Sequence, residues 1–134
     1  MADQKMASNA ARVLAAVPYL ADLDPAALEA VARAAVCRTY DADQIVFTEG
    51  EPCTGLYVVE DGWLKSVKIS LAGREQVVRF VGPGETFNEV GVLAGAPNQA
   101  TVIALEPCAV WVIHRDAMVA LLESDRHLAR LISE

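Results

Sequence analysis

Residues 55–81 read GLYVVEDGWLKSVKISLAGREQVVRFV, and the period of this stretch decides the fold. Three runs rich in β-branched and aromatic residues, at 55–60, 63–70 and 75–81, are parted by Asp61-Gly62 and by Leu71-Ala72-Gly73. Short runs of that composition between turn residues read as strands, and Asp-Gly between two of them is the strongest hairpin signal in the chain. The pattern extends outward on both sides. Strands are predicted at 36–40 and 44–47, parted by Asp41-Ala42-Asp43 and followed by Glu49-Gly50-Glu51-Pro52. Two more are predicted at 100–105 and 108–113, joined by Glu106-Pro107. Gly, Pro and Asp supply the tight turns that such connections require.

Beyond these strands the period becomes helical. Residues 8–17 place Val13, Leu14 and Val17 at helical spacing, with Ser8 as a cap and Pro18 following. A second helix starts at Asp24 as N-cap with Pro25 in the first position and carries Leu28, Val31 and Ala35 on one stripe. Glu29 lies near the positive end of its dipole, and the helix is expected to end near Ala35. After residue 113 helical spacing returns in Met118, Leu121 and Leu122, and again in Leu128, Leu131 and Ile132. Helices and strands are therefore segregated, which indicates α+β with a closed or sandwiched antiparallel sheet. A single domain is expected over 1–134, with helices at 1–35, the sheet at 36–113 and helices at 114–134. The pattern reaches Glu134 without a Gly or Asn stop, so a longer helix cut short is expected.

Composition narrows the function. The 134 residues are 54% hydrophobic and 22% charged, far from the composition of disordered chains, and no apolar run is long enough to span a membrane. A formal charge of −7 with no block of cations argues against duplex DNA as a partner of this chain alone. Cys37, Cys53 and Cys108 form neither CxxC pairs nor an even disulfide set, and the first twelve residues lack the apolar core of a secretory signal. A cytoplasmic protein without a metal site is expected. No paired acid/base motif, HExxH, nucleophile elbow or Walker loop is present, so catalysis is not expected.

One stretch, residues 81–102, reads VGPGETFNEVGVLAGAPNQATV and interrupts the strand pattern. Gly82, Gly84, Gly91 and Gly95 permit close backbone approach, and residues 88–93 are expected to form one or two helical turns. The exposed N–H groups at the start of such a helix favour anions.

In order and spacing, the chain resembles the cyclic nucleotide-binding domain of the catabolite-activator/Fnr-like regulators over residues 13–134. The motifs are Leu14 with Pro18-Tyr19-Leu20, Ile45-Val46-Phe47-Thr48-Glu49-Gly50-Glu51, Leu56-Tyr57-Val58-Val59-Glu60-Asp61-Gly62, Gly82-Pro83-Gly84-Glu85-Thr86-Phe87 and Ala100-Thr101-Val102. The resemblance implies an eight-stranded antiparallel β-roll of the jelly-roll type, flanked by N- and C-terminal helices, with an effector pocket inside and a phosphate-binding cassette at 82–102. In such a cassette a Glu binds the ribose hydroxyl, an Arg pairs with the phosphate, and a short helix presents its N–H groups to it.

Glu89 matches the ribose-binding Glu and Ala100 the small residue near the cassette's end. Asn88 replaces the cassette Gly, Asn98 stands at the Arg position, and Gln99 stands where a small hydroxyl residue belongs. The implied ligand-binding residues are Asn88, Glu89, Val90, Gly91, Asn98, Gln99 and Ala100, with Val78 and Phe80 as pocket wall and Arg79 as a replacement cation. Strand alternation places Arg79 with Val77 and Val81, opposite Val78 and Phe80, and leaves open which face is inside. A cyclic nucleotide is a possible ligand, yet the missing Arg argues against cyclic AMP held in the usual way.

The function implied is a small-molecule effector-sensing domain of a Crp/Fnr-type transcription regulator, acting by allostery. The alternatives are a ligand-free interaction or dimerisation module of the same fold, or a haem sensor using His114. Homodimerisation is expected of a full-length regulator and DNA contact only of a further C-terminal domain. The chain alone, with only Leu128, Leu131 and Ile132 as a seam, is expected to be a monomer or weak dimer.

Overall fold

The computed structural model describes residues 2–125 and residue 130. Three helices, α1 (Ala2–Ala15), α2 (Pro18–Ala21) and α3 (Pro25–Ala34), precede the strands. Those are β1 (Ala35–Tyr40), β2 (Ile45–Phe47), β3 (Gly55–Asp61), β4 (Leu64–Ile69), β5 (Glu75–Val81), β6 (Thr86–Phe87), β7 (Thr101–Ala104) and β8 (Cys108–His114). Helix α4 (Glu89–Ala94) is inserted between β6 and β7, and α5 (Arg115–Ser124) follows β8. The predicted seam of Leu128, Leu131 and Ile132 lies outside the described residues. Among the described residues no helix is long and apolar enough to cross a membrane.

All pairings are antiparallel and nested: β1 with β8, β2 with β7, β3 with β6, β4 with β5. Pairings of β3 with β8 and of β4 with β7 join these into two four-stranded sheets, β1-β8-β3-β6 and β2-β7-β4-β5. This is the jelly-roll arrangement expected. Strand β3 is buried on both faces, which explains its unbroken apolar run. Leu56 and Val58 point outward into a cluster with Leu14, Leu20, Val31, Trp111, Ile113 and Met118, so the helices cover the outer face of the first sheet. Tyr57 and Val59 point inward and pack with Leu64, Val81, Phe87 and Val102 between the sheets.

The structure corrects three sequence readings. Asp61-Gly62 does not close a hairpin, because β3 and β4 lie in different sheets and do not pair. The dipeptide turns a corner between sheets, and the left-handed backbone of Gly62 (φ +86°) serves that corner equally well. The local hairpin is β4–β5, closed over Leu71–Gly73 by Gly73 N–H to the Ser70 carbonyl at 2.9 Å. Ser8 does not cap α1, which begins at Ala2 because the preceding Ala, Gln, Lys and Met residues also favour helix. Pro18 opens α2 at its first position instead of merely following α1. The two-residue strand β6 has no counterpart among the predicted strands.

Asp24 caps α3 by position with Pro25 next, but its side chain makes no cap hydrogen bond. Glu29 pairs with Arg33 at 2.6 Å, one helical turn on. Trp63 is 46% exposed and lies over Gly82, where an added Cβ would meet the indole at 2.5 Å. Trp111 is buried and donates from Nε1 to Glu60 Oε1 at 3.2 Å.

Candidate functional site

The roll encloses a cleft of about 370 Å³ bounded by β4, β5, β7 and the segment from Phe87 to Val90. Its polar lining comes from Ser66, Lys68, Arg79, Asn88, Glu89 and Gln99, and its apolar lining from Phe47, Val78, Phe87, Val90, Ala100 and Val102. Of the residues predicted from sequence, Asn88, Glu89, Val90, Gln99, Ala100, Arg79 and Val78 meet there. Three do not. Phe80 is 56% exposed and outside the lining. Gly91 is packed where a Cβ would meet Cys53 Sγ at 2.8 Å. Asn98 is buried and outside the lining.

The question of which face of β5 looks inward has an answer in the strand register. Ser66 pairs with Arg79 while the next residue, Val67, pairs with Val77, so Val78 is an extra residue in β5. Such a bulge breaks alternation locally. Arg79 shares the inner face with Val81, and Val78 nevertheless also reaches the lining.

Asn98 is only 4% exposed. Its Nδ2 donates to the Thr48 carbonyl at 3.2 Å, and its Oδ1 accepts from Asn88 Nδ2 at 3.1 Å. Its backbone N–H donates to the Glu51 carbonyl, and its carbonyl accepts from Gly50 N–H, each at 2.9 Å. The residue therefore sews the cassette's end to the loop after β2. Asn88 holds a left-handed backbone (φ +78°), the conformation that Asn tolerates best after Gly, and its Nδ2 also donates to the Gly55 carbonyl at 3.1 Å. The Gln99 side chain folds back to the Pro97 carbonyl at 2.8 Å.

Glu89 and Arg79 are both fastened to Thr86. The Thr86 hydroxyl donates to Glu89 Oε1, and the Thr86 carbonyl accepts from Arg79 Nη2 at 2.6 Å. Arg79 is an exposed residue that lines the cleft, and among the described residues no carboxylate lies within ion-pair distance of it. The second cation, Lys68, was not singled out from the sequence. It pairs with Glu49 at 3.1 Å and donates to the Gln99 carbonyl. Alternation with Leu64 and Ser66 in LKSVKIS was the available signal, but only the structure shows that this face is the inner one.

The chain of hydrogen bonds continues into the N-terminal helices, since Tyr19 on α2 donates its hydroxyl to Thr86 Oγ1 at 2.8 Å. Burial, seconded by the Glu89 carboxylate, pushes the Tyr19 phenol up to about 12. A raised phenol means that the folded state holds the proton more tightly than the unfolded chain does. Its contribution is intact below pH 10 and is lost between about pH 10 and 12. Tyr19→Phe is expected to cost about 1 kcal/mol at neutral pH through the lost hydrogen bond. It should also flatten the alkaline fall in stability, as urea unfolding across pH 8–12 measures.

Among the described residues no group of three or more His, Cys, Asp and Glu side chains is arranged to hold a metal. His114 is the N-cap of α5, its Nδ1 accepting the Asp116 N–H at 3.2 Å. Burial pushes the Cys37, Cys53 and Cys108 thiols up, which keeps them protonated and weakly nucleophilic.

Comparison with known proteins agrees with this geometry. The regulatory domain of Toxoplasma gondii PKA, solved with cAMP, shares 32% identity at a TM-score of 0.78, covering 85% of this chain and 43% of that one. The sensor domain of the transcriptional regulator DNR from Pseudomonas aeruginosa has the same fold, with a TM-score of 0.86 at 22% identity over 94% of this chain and 85% of that one. An uncharacterized NTE family protein of Mycobacterium tuberculosis is 31% identical over 121 residues, 90% of this chain and 20% of that protein. The chain thus spans about a fifth of that relative's length. The family model described as cyclic nucleotide-binding domain matches residues 37–125, from within β1 to just past α5, and the chain belongs to that family.

Proposed function

We propose that the chain is the effector-sensing domain of a Crp/Fnr-type regulator whose cleft takes a small hydroxylated anion through Glu89 and Arg79. The observation that carries this reading is their common anchor: one residue, Thr86, binds the carboxylate with its hydroxyl and the guanidinium with its carbonyl. An acceptor for hydroxyls and a cation without an ion-pair partner among the described residues then line one cleft, while Asn98 at the cassette's Arg position is outside the lining and bound to Asn88 and Thr48. Ligand binding at Glu89 competes for the Thr86 hydroxyl and so bears on Tyr19 and α2. A ligand that prefers one arrangement of this chain shifts the helices toward it. In the whole regulator, homodimerisation and DNA contact fall to segments other than the roll.

Thermal unfolding in the presence of cyclic nucleotides, haem and small organic acids tests this. A hydroxylated anion at about 100 times its dissociation constant should add roughly 2.7 kcal/mol of stability. The gain should vanish in Glu89→Gln and in Arg79→Met. If no hydroxylated anion stabilises the chain, or if both variants keep the gain, the reading is wrong and a ligand-free interaction module takes its place.

A further inference from the structure

A second cavity of about 390 Å³ opens on the other side of the roll's interior, between the free edges of β1 and β2. It is separated from the cassette cleft by an aromatic wall. Tyr57, which lines the second cavity, stacks on Phe87 with centroids 4.8 Å apart and meets Phe47 edge-on at 5.3 Å; both partners line the cleft. The register builds the cavity floor, for Val36 of β1 and Tyr57 of β3 both pair with Val112 of β8.

The polar rim consists of Arg38, Tyr40, Thr54, Tyr57 and His114, and no carboxylate is among the lining residues. Every one of these side chains has a hydrogen to donate. Because His114 Nδ1 accepts the Asp116 N–H, the ring proton of neutral His114 resides on Nε2. Thr54 and Tyr57 lie within hydrogen-bond distance of one another, at 3.3 Å, and share a single donor between them, which leaves the other hydroxyl hydrogen for a ligand. Among the described residues the Arg38 side chain forms neither a hydrogen bond nor an ion pair. A solvated surface Arg would account for that last fact alone. It does not account for five donor side chains gathered over an aliphatic floor in a volume typical of small-molecule sites.

We propose that this cavity is a second ligand site, separate from the cassette cleft, that takes a small organic anion with an apolar body. The anionic group sits against Arg38, and the apolar body lies over Val46 and Val112. The inference does not depend on what the cassette cleft binds.

Titration of the full chain with 4-phenylbutyrate and with its neutral counterpart 4-phenylbutanol, followed by amide chemical shifts, tests the site. The carboxylate is expected to give saturable shifts in β1, β2 and residues 54–57, binding about tenfold more tightly than the alcohol, as one charge-assisted hydrogen bond allows. Arg38→Gln should abolish that preference and Arg38→Lys restore part of it. Arg38 is exposed, so both variants should melt with the unaltered chain. Absence of saturable shifts, equal affinity for the alcohol, or a preference surviving in Arg38→Gln overturns the proposal. Shifts that disappear in Glu89→Gln and not in Arg38→Gln overturn it too, because they locate the anion in the cassette cleft.

Discussion

Asn98→Arg combined with Gln99→Ser is expected to tighten cyclic AMP binding by about tenfold to a hundredfold, starting from an affinity weaker than micromolar. A charge-assisted hydrogen bond to an anion contributes about 1.5–3 kcal/mol, and each 1.4 kcal/mol is tenfold. In the unaltered chain position 98 offers a neutral amide whose atoms are spent on Thr48 and Asn88, inside a slot only 4% exposed. Arg is too long for that slot and has to swing into the cleft, where the resemblance puts the phosphate. The move has a cost, since the Thr48 carbonyl loses a donor and Asn88 Nδ2 keeps the Gly55 carbonyl as its remaining oxygen acceptor. The double variant should therefore be less stable without ligand by about 1–3 kcal/mol, the cost of a buried polar group left unpaired. Calorimetric titration of both chains measures the first effect and urea unfolding the second. A submicromolar dissociation constant for the unaltered chain would refute the expectation.

Gly62→Ala should be the more damaging change, costing about 2–5 kcal/mol of stability. Two costs add there. A left-handed backbone costs an L-residue roughly 1–2 kcal/mol, and crowding a packed interior costs a further 1–3 kcal/mol. The crowding is severe because the new Cβ would stand 2.5 Å from the Pro107 carbonyl oxygen and 2.9 Å from Cys108 Cα, backbone atoms at the start of β8 and just before it. Gly73→Ala is the matched control. Its φ is +79°, but nothing lies within 4 Å of an added Cβ, so only the backbone part, about 1–2 kcal/mol, is expected. Equal losses in the two variants would show that the corner at Gly62 is not tightly packed.

The same corner marks the limit of what the sequence makes legible. Composition marked Asp61-Gly62 as a turn, and the strands on either side were placed to within a residue or two. Partnership was not legible, because a left-handed Gly serves a hairpin and a change of sheet alike. Strand β6 escaped notice because two residues, Thr86 and Phe87, show no period. At the cassette, Glu89, Gln99 and Ala100 line the cleft. The orientations of Arg79 and Asn98 are not legible in the sequence, since they depend on a bulge at Val78 and on a bond to a loop some fifty residues earlier in the chain.

The nested order of strand pairing also sets a timetable for folding. Only β4 and β5 meet across a short turn; each pair outside them must close a longer loop than the one within, and β1 with β8 closes the longest. Loop-closure entropy grows with that length, and non-local pairing slows folding. The β4–β5 hairpin, which carries Ser66, Lys68, Val78 and Arg79, should consequently form early, and the β1–β8 pair late. Local opening would run in the reverse sense, so amide hydrogens of β1 are expected to exchange before those of β4 under native conditions.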